Sequence, residues 1–421
     1  MNVGLFKSWE FCLPTQIRFG AGQFSAAPQV VSSYGRRALL VGYRPGSPLD
    51  EHYSQLVRDL QKSGVEVLEW FMSAGEPDVP AAVHAYEAAA QFRPEVVVGV
   101  GGGSVLDLAK FAAYQLRLGT SLDPAVLAAG KGGKEPAPTF SAALRTAHGG
   151  KTPFLILVPT TPGTGSEVTG VAVIRVEMPV SAASQTVPVK LAVNSPYCRA
   201  DLAIVDPSLS QSCPPAVLAA SLMDALGHSV EAVISRSANP VGLLFAGGAI
   251  GILSRHLPRL CSEGEDGDAW HDLCLAGLLG GLAVQARGVA VGHALAHALG
   301  AVLGMPHGLA VGLTLRPCLE FNLPETEDRF RHLWTDNRWL FAAFGEDWNF
   351  DIAAAVDHWT SAARRLALEY LPKSFDQHLV STLVASAEAG GRLLLRLNPR
   401  RVNSEDLREL FLRILSQPSR G

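Results

Sequence analysis

The first half of the chain alternates short apolar runs with segments of helical pattern, and this alternation constrains the fold more than any other feature. The runs "RALLVG" (37–42), "VEVLEWF" (65–71) and "EVVVGVGGGS" (95–104) have the length and composition of buried strands. Helical patterns lie at 48–64, 78–92 and 105–116, and Asp78 is placed to cap the second of them. Units of this kind place parallel strands in one sheet with helices on both faces. The sequence therefore predicts an α/β domain with a parallel sheet.

The character of the chain changes after Pro207. Strand-like runs at 153–159, 189–193 and 202–207 precede it, whereas long apolar segments of helical length follow it. These segments are 215–236, 240–256, 269–303, 308–320, 352–371, 375–391 and 403–415, the last with Ser404 as its expected cap. We therefore predict an α/β domain over 1–207 and an all-helical domain over 208–421.

A polar segment at about 119–150 interrupts the strand–helix rhythm of the first half. It has little apolar periodicity and contains "GKGGKEPAP", which favours a surface loop. Such a loop could shape substrate entry or an oligomer contact, or it could be a tolerated insertion without a role.

Composition narrows the class of partner and the compartment. The formal net charge of −4 gives no support to a nucleic-acid or anionic-membrane partner. The six cysteines are widely spaced without a CxxC pair, which favours reduced thiols over a disulfide framework. The N-terminal sequence lacks the pattern of a signal peptide, and the apolar stretches 241–253 and 273–284 fall short of the ~20 residues that span a bilayer. We expect a cytoplasmic protein with no membrane and no nucleic-acid partner.

Two glycine-containing loops follow predicted strands. In "VVVGVGGGSVLDLAK" (96–110), glycines let backbone N–H groups approach a pyrophosphate at a helix N-terminus, and Ser104 could cap that helix or contact phosphate. The loop "VPTTPGTGSEVTG" (158–170) offers several hydroxyl donors. Either loop alone could be a turn without a ligand. Because both follow parallel strands, together they indicate one crevice at the carboxyl edge of the sheet.

Five ionisable residues lie inside the apolar helical half. In "SLMDALGHSVEAVIS" (221–235), Asp224 and His228 are four residues apart and share one helix face. "GHALAHALGAVLGMPHG" (292–308) repeats that spacing in His293 and His297 and adds His307. Any one of these histidines could be a hydrogen-bonded core imidazole, but the set suits Fe(II), Zn(II) or a similar divalent ion. Five candidates exceed the usual number of protein ligands, so one could act as a proton relay.

Six elements in this order and spacing resemble the iron-containing, group III alcohol dehydrogenase family. They are "GGGSVLDLAK", "TTPGTGSEVT", "DPSL", "MDALGHSVEA", "NP" at 239–240 and "GHALAHALGAVLGMPHG". The resemblance covers nearly the whole chain. It implies an N-terminal Rossmann-like dinucleotide-binding domain joined to a helical metal-binding domain.

The resemblance also implies roles for single residues. The metal ligands would be Asp224, His228, His293 and His307. His297 would lie beside the substrate and the nicotinamide and serve as the catalytic proton relay. The cofactor would be held by Gly102, Gly103 and Ser104 at the pyrophosphate, with Asp107 nearby, by Thr160, Thr161 and Thr164 at the nicotinamide half, and by Lys190 toward the ribose.

The implied activity is a metal-dependent, NAD(P)-linked interconversion of a small alcohol and its aldehyde or ketone by hydride transfer. We expect Fe(2+), with Zn(2+) or another divalent ion as the alternative, in a homodimer or larger homo-oligomer. NAD-preferring members of the family often carry an acidic residue after the first strand, where this chain has Tyr43 and Arg44. Arg44 could meet a 2′-phosphate, so both NAD and NADP are kept.

Three other functions remain open at this stage. One is a zinc-dependent polyol dehydrogenase of the glycerol type, or a relative of dehydroquinate synthase, on the same fold. Another is a hydroxyacid–oxoacid transhydrogenase that keeps its cofactor bound while hydride passes between two substrates. The third is a non-catalytic binding protein on a former enzyme scaffold, which the intact set of metal-ligand candidates disfavours.

Overall fold

The computed structural model describes residues 8–73, 75–122, 153–179, 186–257, 267–336 and 352–416. Most of the polar segment at 119–150, and with it the prediction of a surface loop, lies outside these residues. All statements below concern the described parts of the chain.

A six-stranded parallel sheet forms the first half, as predicted. Its strands are β1 (Gln16–Phe19), β2 (Arg37–Tyr43), β3 (Glu66–Met72), β4 (Val96–Gly101), β5 (Phe154–Pro159) and, after two further strands, β8 (Leu202–Val205). The order across the sheet is β1-β8-β5-β4-β2-β3. From β2 the chain first forms β3 on one side of that strand, and then β4 on its other side, followed by β5. The topological switch point, where the strand order reverses its direction, therefore falls between β2 and β4.

Helices cover both faces of this sheet. They are α1 (Ala27–Tyr34), α2 (Asp50–Lys62), α3 (Val79–Phe92) and α4 (Gly103–Leu118). Alternate strand residues enter opposite cores: Leu39 and Val97 pack with residues of α3 and α4, whereas Leu40 and Val98 pack with residues of α1 and α2. Burial on both faces explains why β2, β4 and β5 are apolar runs without alternation.

The start of α3 follows its sequence signal. Asp78 is the N-cap, and its Oδ1 accepts a hydrogen bond of 2.8 Å from the backbone N–H of Ala81. A cap of this kind contributes about 1 kcal/mol to helix stability. The prediction of Asp78 as the cap is confirmed.

Two strands were not predicted. β1 is a short edge strand whose residues are exposed or half-buried, so it carries no apolar run to reveal it. β6 (Val171–Pro179) pairs antiparallel with β7 (Thr186–Asn194) in a separate two-stranded ribbon. The predicted strand at 189–193 lies within β7, outside the parallel sheet.

Helices dominate the second half, as predicted. They are α5 (Pro207–Ser210), α6 (Pro215–Ile234), α7 (Pro240–His256), α8 (Gly267–Arg287), α9 (Val291–Leu303), α10 (His307–Asp336), α11 (Ile352–Leu368), α12 (Gln377–Gly390), α13 (Arg392–Leu397) and α14 (Ser404–Leu415). One large apolar core joins α6 through α12 and α14.

Three helix boundaries differ from the sequence prediction. The segment 269–303 is two helices that meet at 111°, because Gly288 adopts a left-handed φ of +71° that only glycine tolerates readily. The segment 308–320 extends to residue 336 through Pro317 and Pro324. The cap of α14 is Asn403 instead of Ser404, since Asn403 and Asp406 exchange two side-chain-to-backbone hydrogen bonds of 2.9 Å.

One described helix, α6, is long and apolar enough to cross a membrane, and it is neither of the two stretches considered from sequence. Its most apolar window is 89% buried inside the fold. A helix buried to this degree and carrying Asp224 and His228 is a core helix of the helical half. The pair α8 and α9 would pass the same test only as one span across the 111° bend.

Candidate metal and dinucleotide site

Three helices bring the five predicted ionisable side chains together. Asp224 and His228 lie on α6, His293 and His297 on α9, and His307 is the first residue of α10. The bend at Gly288 turns α9 away from the direction of α8, and Gly304, with a φ of +68°, ends α9 and lets the chain turn into α10.

The ring nitrogens of three histidines converge on one oxygen. The Nε2 atoms of His228, His293 and His307 lie 3.4, 3.5 and 3.4 Å from Oδ1 of Asp224. Two atoms that bind an ion at about 2.0–2.2 Å lie about 3.0–3.6 Å apart at octahedral to tetrahedral angles. The spacing of Asp224, His228 and His293 therefore fits the ligands of a single cation, because their ligand atoms all lie within 4.8 Å of one another. His307 lies outside this group of three but approaches the same oxygen of Asp224.

The hydrogen-bonding state of these atoms agrees with that fit. Asp224 and His293 are 3% and 2% exposed, and Oδ1 of Asp224 and Nε2 of His293 find no hydrogen-bond partner within the described part of the chain. A buried polar atom without a partner costs about 1–3 kcal/mol. A divalent cation would remove this cost, because it would engage both atoms at once.

The electrostatics of the site favour neutral imidazoles around an ionised carboxylate. Burial is the main cause that lowers the pKa of His228 to about 4 and that of His307 to about 3. Burial alone would raise the pKa of Asp224, but the neighbouring histidines, His228 foremost, lower it instead. Neutral imidazole and ionised carboxylate are the forms that bind divalent transition metals.

Glu231 is a site residue that sequence reasoning missed. It is 1% exposed on α6, and its Oε2 lies 2.7 Å from Nδ1 of His293. Its carboxylate also accepts backbone hydrogen bonds from Ala290, Gly292 and His293 at 2.9, 2.6 and 3.2 Å. Glu231 thus holds the start of α9 and directs Nε2 of His293 toward Asp224. Its position seven residues after Asp224, on the same helix face as His228, was the available signal.

His293 has the opposite pKa shift from its neighbours. Burial would lower its pKa, but the nearby carboxylates of Asp224 and Glu231 raise it to about 9. A proton on Nε2 would then face Oδ1 of Asp224, in the direction where a cation fits. The two carboxylates therefore attract positive charge to this side of the ring, whether a proton or a metal ion provides it.

His297 lies beside this cluster. Its ring centroid is 5.2 Å from that of His307 and 6.5 Å from that of His293. It is 7% exposed, and its Nδ1 has no hydrogen-bond partner among the described residues. Burial is the largest cause that lowers its pKa well below the usual value. His297 is therefore a neutral imidazole beside the rings of His293 and His307.

The two predicted cofactor loops meet at the carboxyl edge of the sheet. Gly102 is the N-cap of α4, with no side-chain cap, so Ser104 lies in the first turn and does not cap the helix. The backbone N–H of Thr160 donates to the carbonyl of Gly101 at 3.0 Å. A β-carbon on Gly102 would come within 3.3 Å of Thr161, and one on Gly103 within 2.8 Å of Thr164. The N-terminus of α4 and the threonines of the second loop thus lie side by side at this edge.

Asp107 and Lys190 have partners inside the protein. The carboxylate of Asp107 accepts hydrogen bonds from the Ser166 hydroxyl at 2.7 Å and the Val173 backbone N–H at 2.9 Å. Both of its oxygens therefore tie α4 to the second loop and to β6. Lys190, on β7, is buried and forms an ion pair with Glu76.

The second cofactor loop touches a metal-site helix directly. A β-carbon on Gly163 would overlap the backbone of Ser221, three residues before Asp224 on α6. The backbone of Gly163 also favours the protonated form of His228 and so moves its pKa upward, against the larger effect of burial. The second predicted cofactor loop and the histidine cluster are therefore adjacent.

Comparisons with known proteins agree with this geometry. The iron-containing alcohol dehydrogenase family model matches residues 14–207, and the model of the C-terminal part of the Fe-containing alcohol dehydrogenase family matches residues 218–415. The chain is 37% identical over 239 residues to long-chain-alcohol dehydrogenase 1 of Geobacillus thermodenitrificans, a match that covers 57% of this chain and about half, 54%, of that protein. It is 33% identical over 297 residues to the probable alcohol dehydrogenase EutG of Salmonella typhimurium, covering 69% of this chain and 68% of that protein.

A solved structure shares the whole described architecture. The iron-containing alcohol dehydrogenase of Thermococcus thioreducens superposes with a TM-score of 0.78 at 25% identity, covering 96% of this chain and 99% of that chain. The likeness therefore extends over both the parallel sheet and the helical half.

Proposed function

Because the chain belongs to the iron-containing alcohol dehydrogenase family, we propose that it oxidises a small primary or secondary alcohol to its aldehyde or ketone, and catalyses the reverse reaction, with NAD(P) as the hydride carrier. The observation that carries this proposal is the convergence of three buried imidazoles on Oδ1 of Asp224 at 3.4–3.5 Å. An oxygen surrounded in this way has no function in a purely structural core, since it is left without a hydrogen-bond donor within the described residues.

Four residues would hold the metal ion: Asp224, His228, His293 and His307. We propose Fe(2+) as the ion, because the family is iron-containing and the donor set of one carboxylate and three imidazoles suits it. When bound, the ion supplies a Lewis acid that polarises the substrate oxygen. Glu231 would keep His293 oriented through its 2.7 Å contact with Nδ1.

His297 would move the proton. It is a neutral imidazole whose Nδ1 is unpaired among the described residues, so it can accept the hydroxyl proton of an alcohol or return it to a developing alkoxide. The burial of His297 and of its neighbours excludes water from the reacting groups. In this role His297 touches substrate, whereas the four ligands need not.

The dinucleotide would bind in the crevice at the carboxyl ends of β2, β4 and β5. Gly102, Gly103 and Ser104 at the N-terminus of α4 would receive the pyrophosphate, since no side chain caps that helix end. Thr160, Thr161 and Thr164 would contact the nicotinamide half, beside the metal-site helix. Asp107 would act by fixing the second loop through Ser166, and Lys190 would lie on the side of His297.

The proposal also covers the roles of the two domains, the cellular compartment and the oligomeric state. We assign dinucleotide binding to 1–207 and metal binding to 208–421, since the sheet ends at Val205 and the helical half follows from Pro207. A cytoplasmic homodimer is proposed as the working form. Sedimentation velocity of the purified chain tests the dimer: a single species of twice the chain mass supports it, and a monomer contradicts it.

The activity itself is tested by anaerobic metal loading. The metal-free chain, the Fe(2+)-loaded chain and a Zn(2+)-loaded chain are assayed for pentanal reduction with NADH and with NADPH. We expect turnover after Fe(2+) loading and none in the metal-free protein. Equal turnover before and after chelation, or none with either cofactor after loading, would contradict the proposed function.

A further inference from the structure

A buried lysine lies on the histidine side of the cofactor crevice. Lys190 is 1% exposed on β7, and its ammonium pairs with the carboxylate of Glu76. Glu76 belongs to the segment between β3 and α3, which leaves the carboxyl edge of the sheet. A buried ammonium is costly unless a partner compensates its charge, and Glu76 provides that compensation.

The ammonium of Lys190 packs against the helix that carries His297. A β-carbon on Gly300 would overlap both Nζ and Cε of Lys190. Gly300 follows His297 by three residues, so the two positions lie on the same side of α9. The lysine stem therefore fills the space that a side chain at residue 300 would take.

The charge of Lys190 reaches the proposed reaction centre. After burial, which is the largest cause, Lys190 contributes to lowering the pKa of both His297 and His307. It is the one lysine or arginine, among the residues that the structure describes, whose charge acts on both histidines. A cation at this place would attract an anionic substrate if its charge were free.

The pair with Glu76 has a defined orientation. The side chain of Lys190 is 2% exposed, whereas that of Glu76 is 34% exposed. The ammonium thus lies inside, toward α9, and the carboxylate lies on the outer side of it. An anionic group that approached Lys190 from the crevice would also meet the negative charge of Glu76.

We propose that Glu76 is a specificity-determining residue, which by pairing with Lys190 neutralises the ammonium beside His297 and makes the site select uncharged aldehydes and alcohols over anionic ones. This inference rests on the proposed function, whose substrate class it narrows. The carboxylate of Glu76 would disfavour an anionic substrate, and this effect adds to any favourable contact between the site and an uncharged substrate.

The test compares two aldehydes of similar length, pentanal and succinate semialdehyde. In Glu76→Gln the lysine keeps a hydrogen-bond acceptor but its charge becomes available. We expect the ratio of kcat/KM for succinate semialdehyde to that for pentanal to rise about tenfold or more, the scale of one newly available charge contact. Glu69→Gln removes the same charge from an exposed position of β3 and should leave the ratio unchanged.

A second variant identifies the cation. In Glu76→Gln combined with Lys190→Met, the gain for succinate semialdehyde should disappear, because no ammonium remains to receive the carboxylate. An unchanged ratio in a Glu76→Gln protein that melts like the parent would overturn the inference. So would a change confined to the KM for NAD(P)H, since that would assign Glu76 and Lys190 to the cofactor.

A binding measurement separates this inference from the proposed function. If the parent reduces neither aldehyde with either cofactor, the proposed function fails. Titration calorimetry with succinate, which needs no turnover, still tests Glu76: tighter binding to Glu76→Gln than to the parent and to Glu69→Gln supports the inference, and equal binding contradicts it.

Discussion

At the scale of single residues, Glu231 shows how one buried carboxylate can fix the orientation of a neighbouring imidazole, that of His293. Its carboxylate accepts hydrogen bonds from the backbone N–H groups of Ala290, Gly292 and His293 at the start of α9, and it contacts Nδ1 of His293. The carboxylate therefore fixes both the helix and the rotation of the imidazole ring. Partners of this kind affect metal affinity without touching the ion.

Glu231→Gln should weaken Fe(2+) binding by about 10–100-fold, the usual effect of losing such a partner. The amide can keep part of the backbone contacts, but it loses the charge that orients His293. Anaerobic titration with a competing chelator measures the affinity. Glu87→Gln, exposed on α3, is the matched control, and an equal affinity in both variants would exclude the positioning role.

Glu167 makes a separate prediction about pH. It is 3% exposed, its Oε2 lacks a hydrogen-bond partner among the described residues, and burial raises its pKa to about 7. Since the folded pKa lies above the unfolded one, the folded state binds more protons at intermediate pH. The free energy of unfolding should therefore decrease as pH rises from about 4.5 through 7.

Glu167→Gln should remove this decrease in the free energy of unfolding with rising pH. The variant should be more stable than the parent at pH 8 by roughly 3 kcal/mol, the value of a pKa raised from 4.5 to about 7, and close to the parent at pH 5. Urea unfolding at both pH values provides the comparison. The assignment is wrong if parent and variant show the same difference between pH 5 and pH 8.

At the scale of secondary-structure elements, the end of β2 bears on the choice of cofactor. Tyr43 ends the strand, and its hydroxyl would lie 3.1 Å from a β-carbon on Gly102. Burial is the main cause that raises the pKa of Tyr43, so the phenol stays neutral. Arg44, the next residue, is exposed and could meet a 2′-phosphate.

Arg44→Asp should therefore weaken the binding of NADPH more than the binding of NADH. We expect the ratio of the two KM values to shift toward NADH by about tenfold or more, because a carboxylate repels the phosphate that a guanidinium attracts. Initial rates with both cofactors measure the ratio. A parallel change in the two KM values would mean that Arg44 does not contact the 2′ position.

The bend between α8 and α9 is the second element-scale feature. Gly288 combines a φ of +71° with a close neighbour, since a β-carbon there would lie 2.8 Å from Leu397. Gly304 has a similar φ of +68° but open space around it. A substitution at Gly304 therefore introduces backbone strain alone, whereas one at Gly288 introduces backbone strain and steric overlap together.

Gly304→Ala should lower the free energy of unfolding by about 1 kcal/mol from backbone strain. Gly288→Ala should lower it by more, because Leu397 must move as well. Urea unfolding of the two variants beside the parent tests the order. A smaller loss at Gly288 than at Gly304 would contradict this account of the bend.

At the scale of the whole molecule, the sequence predicted the structure best where a local pattern or contact determines it. Unbroken apolar strands such as β4 and β5 indicated a parallel sheet. The pairs Asp224–His228 and His293–His297 indicated a metal site, because helical geometry alone puts each i, i+4 pair on one face. The Asp78 cap was predictable for the same reason, since its contacts are local.

What escaped prediction depends on contacts between distant segments. The edge strand β1 pairs with β8, 186 positions later along the chain for Gln16 and Leu202, and its half-exposed residues give no pattern. The antiparallel ribbon of β6 and β7, the bend at Gly288 and the hydrogen bonds of Glu231 to α9 are likewise set by tertiary packing. The ion pair of Lys190 with Glu76 joins β7 to the loop after β3, and neither local sequence predicts it.

The most direct test of the whole account is the Fe(2+) content of His228→Ala and His297→Ala beside the parent, measured after anaerobic loading and gel filtration together with turnover. His228 contacts Oδ1 of Asp224 at 3.4 Å, so its loss should remove the metal and the activity together. His297→Ala should retain close to one Fe(2+) per chain while its turnover falls by about 100-fold or more, the contribution of a positioned proton-transfer group. Equal metal loss in the two variants, or full turnover in His297→Ala, would contradict the division between metal ligands and proton relay.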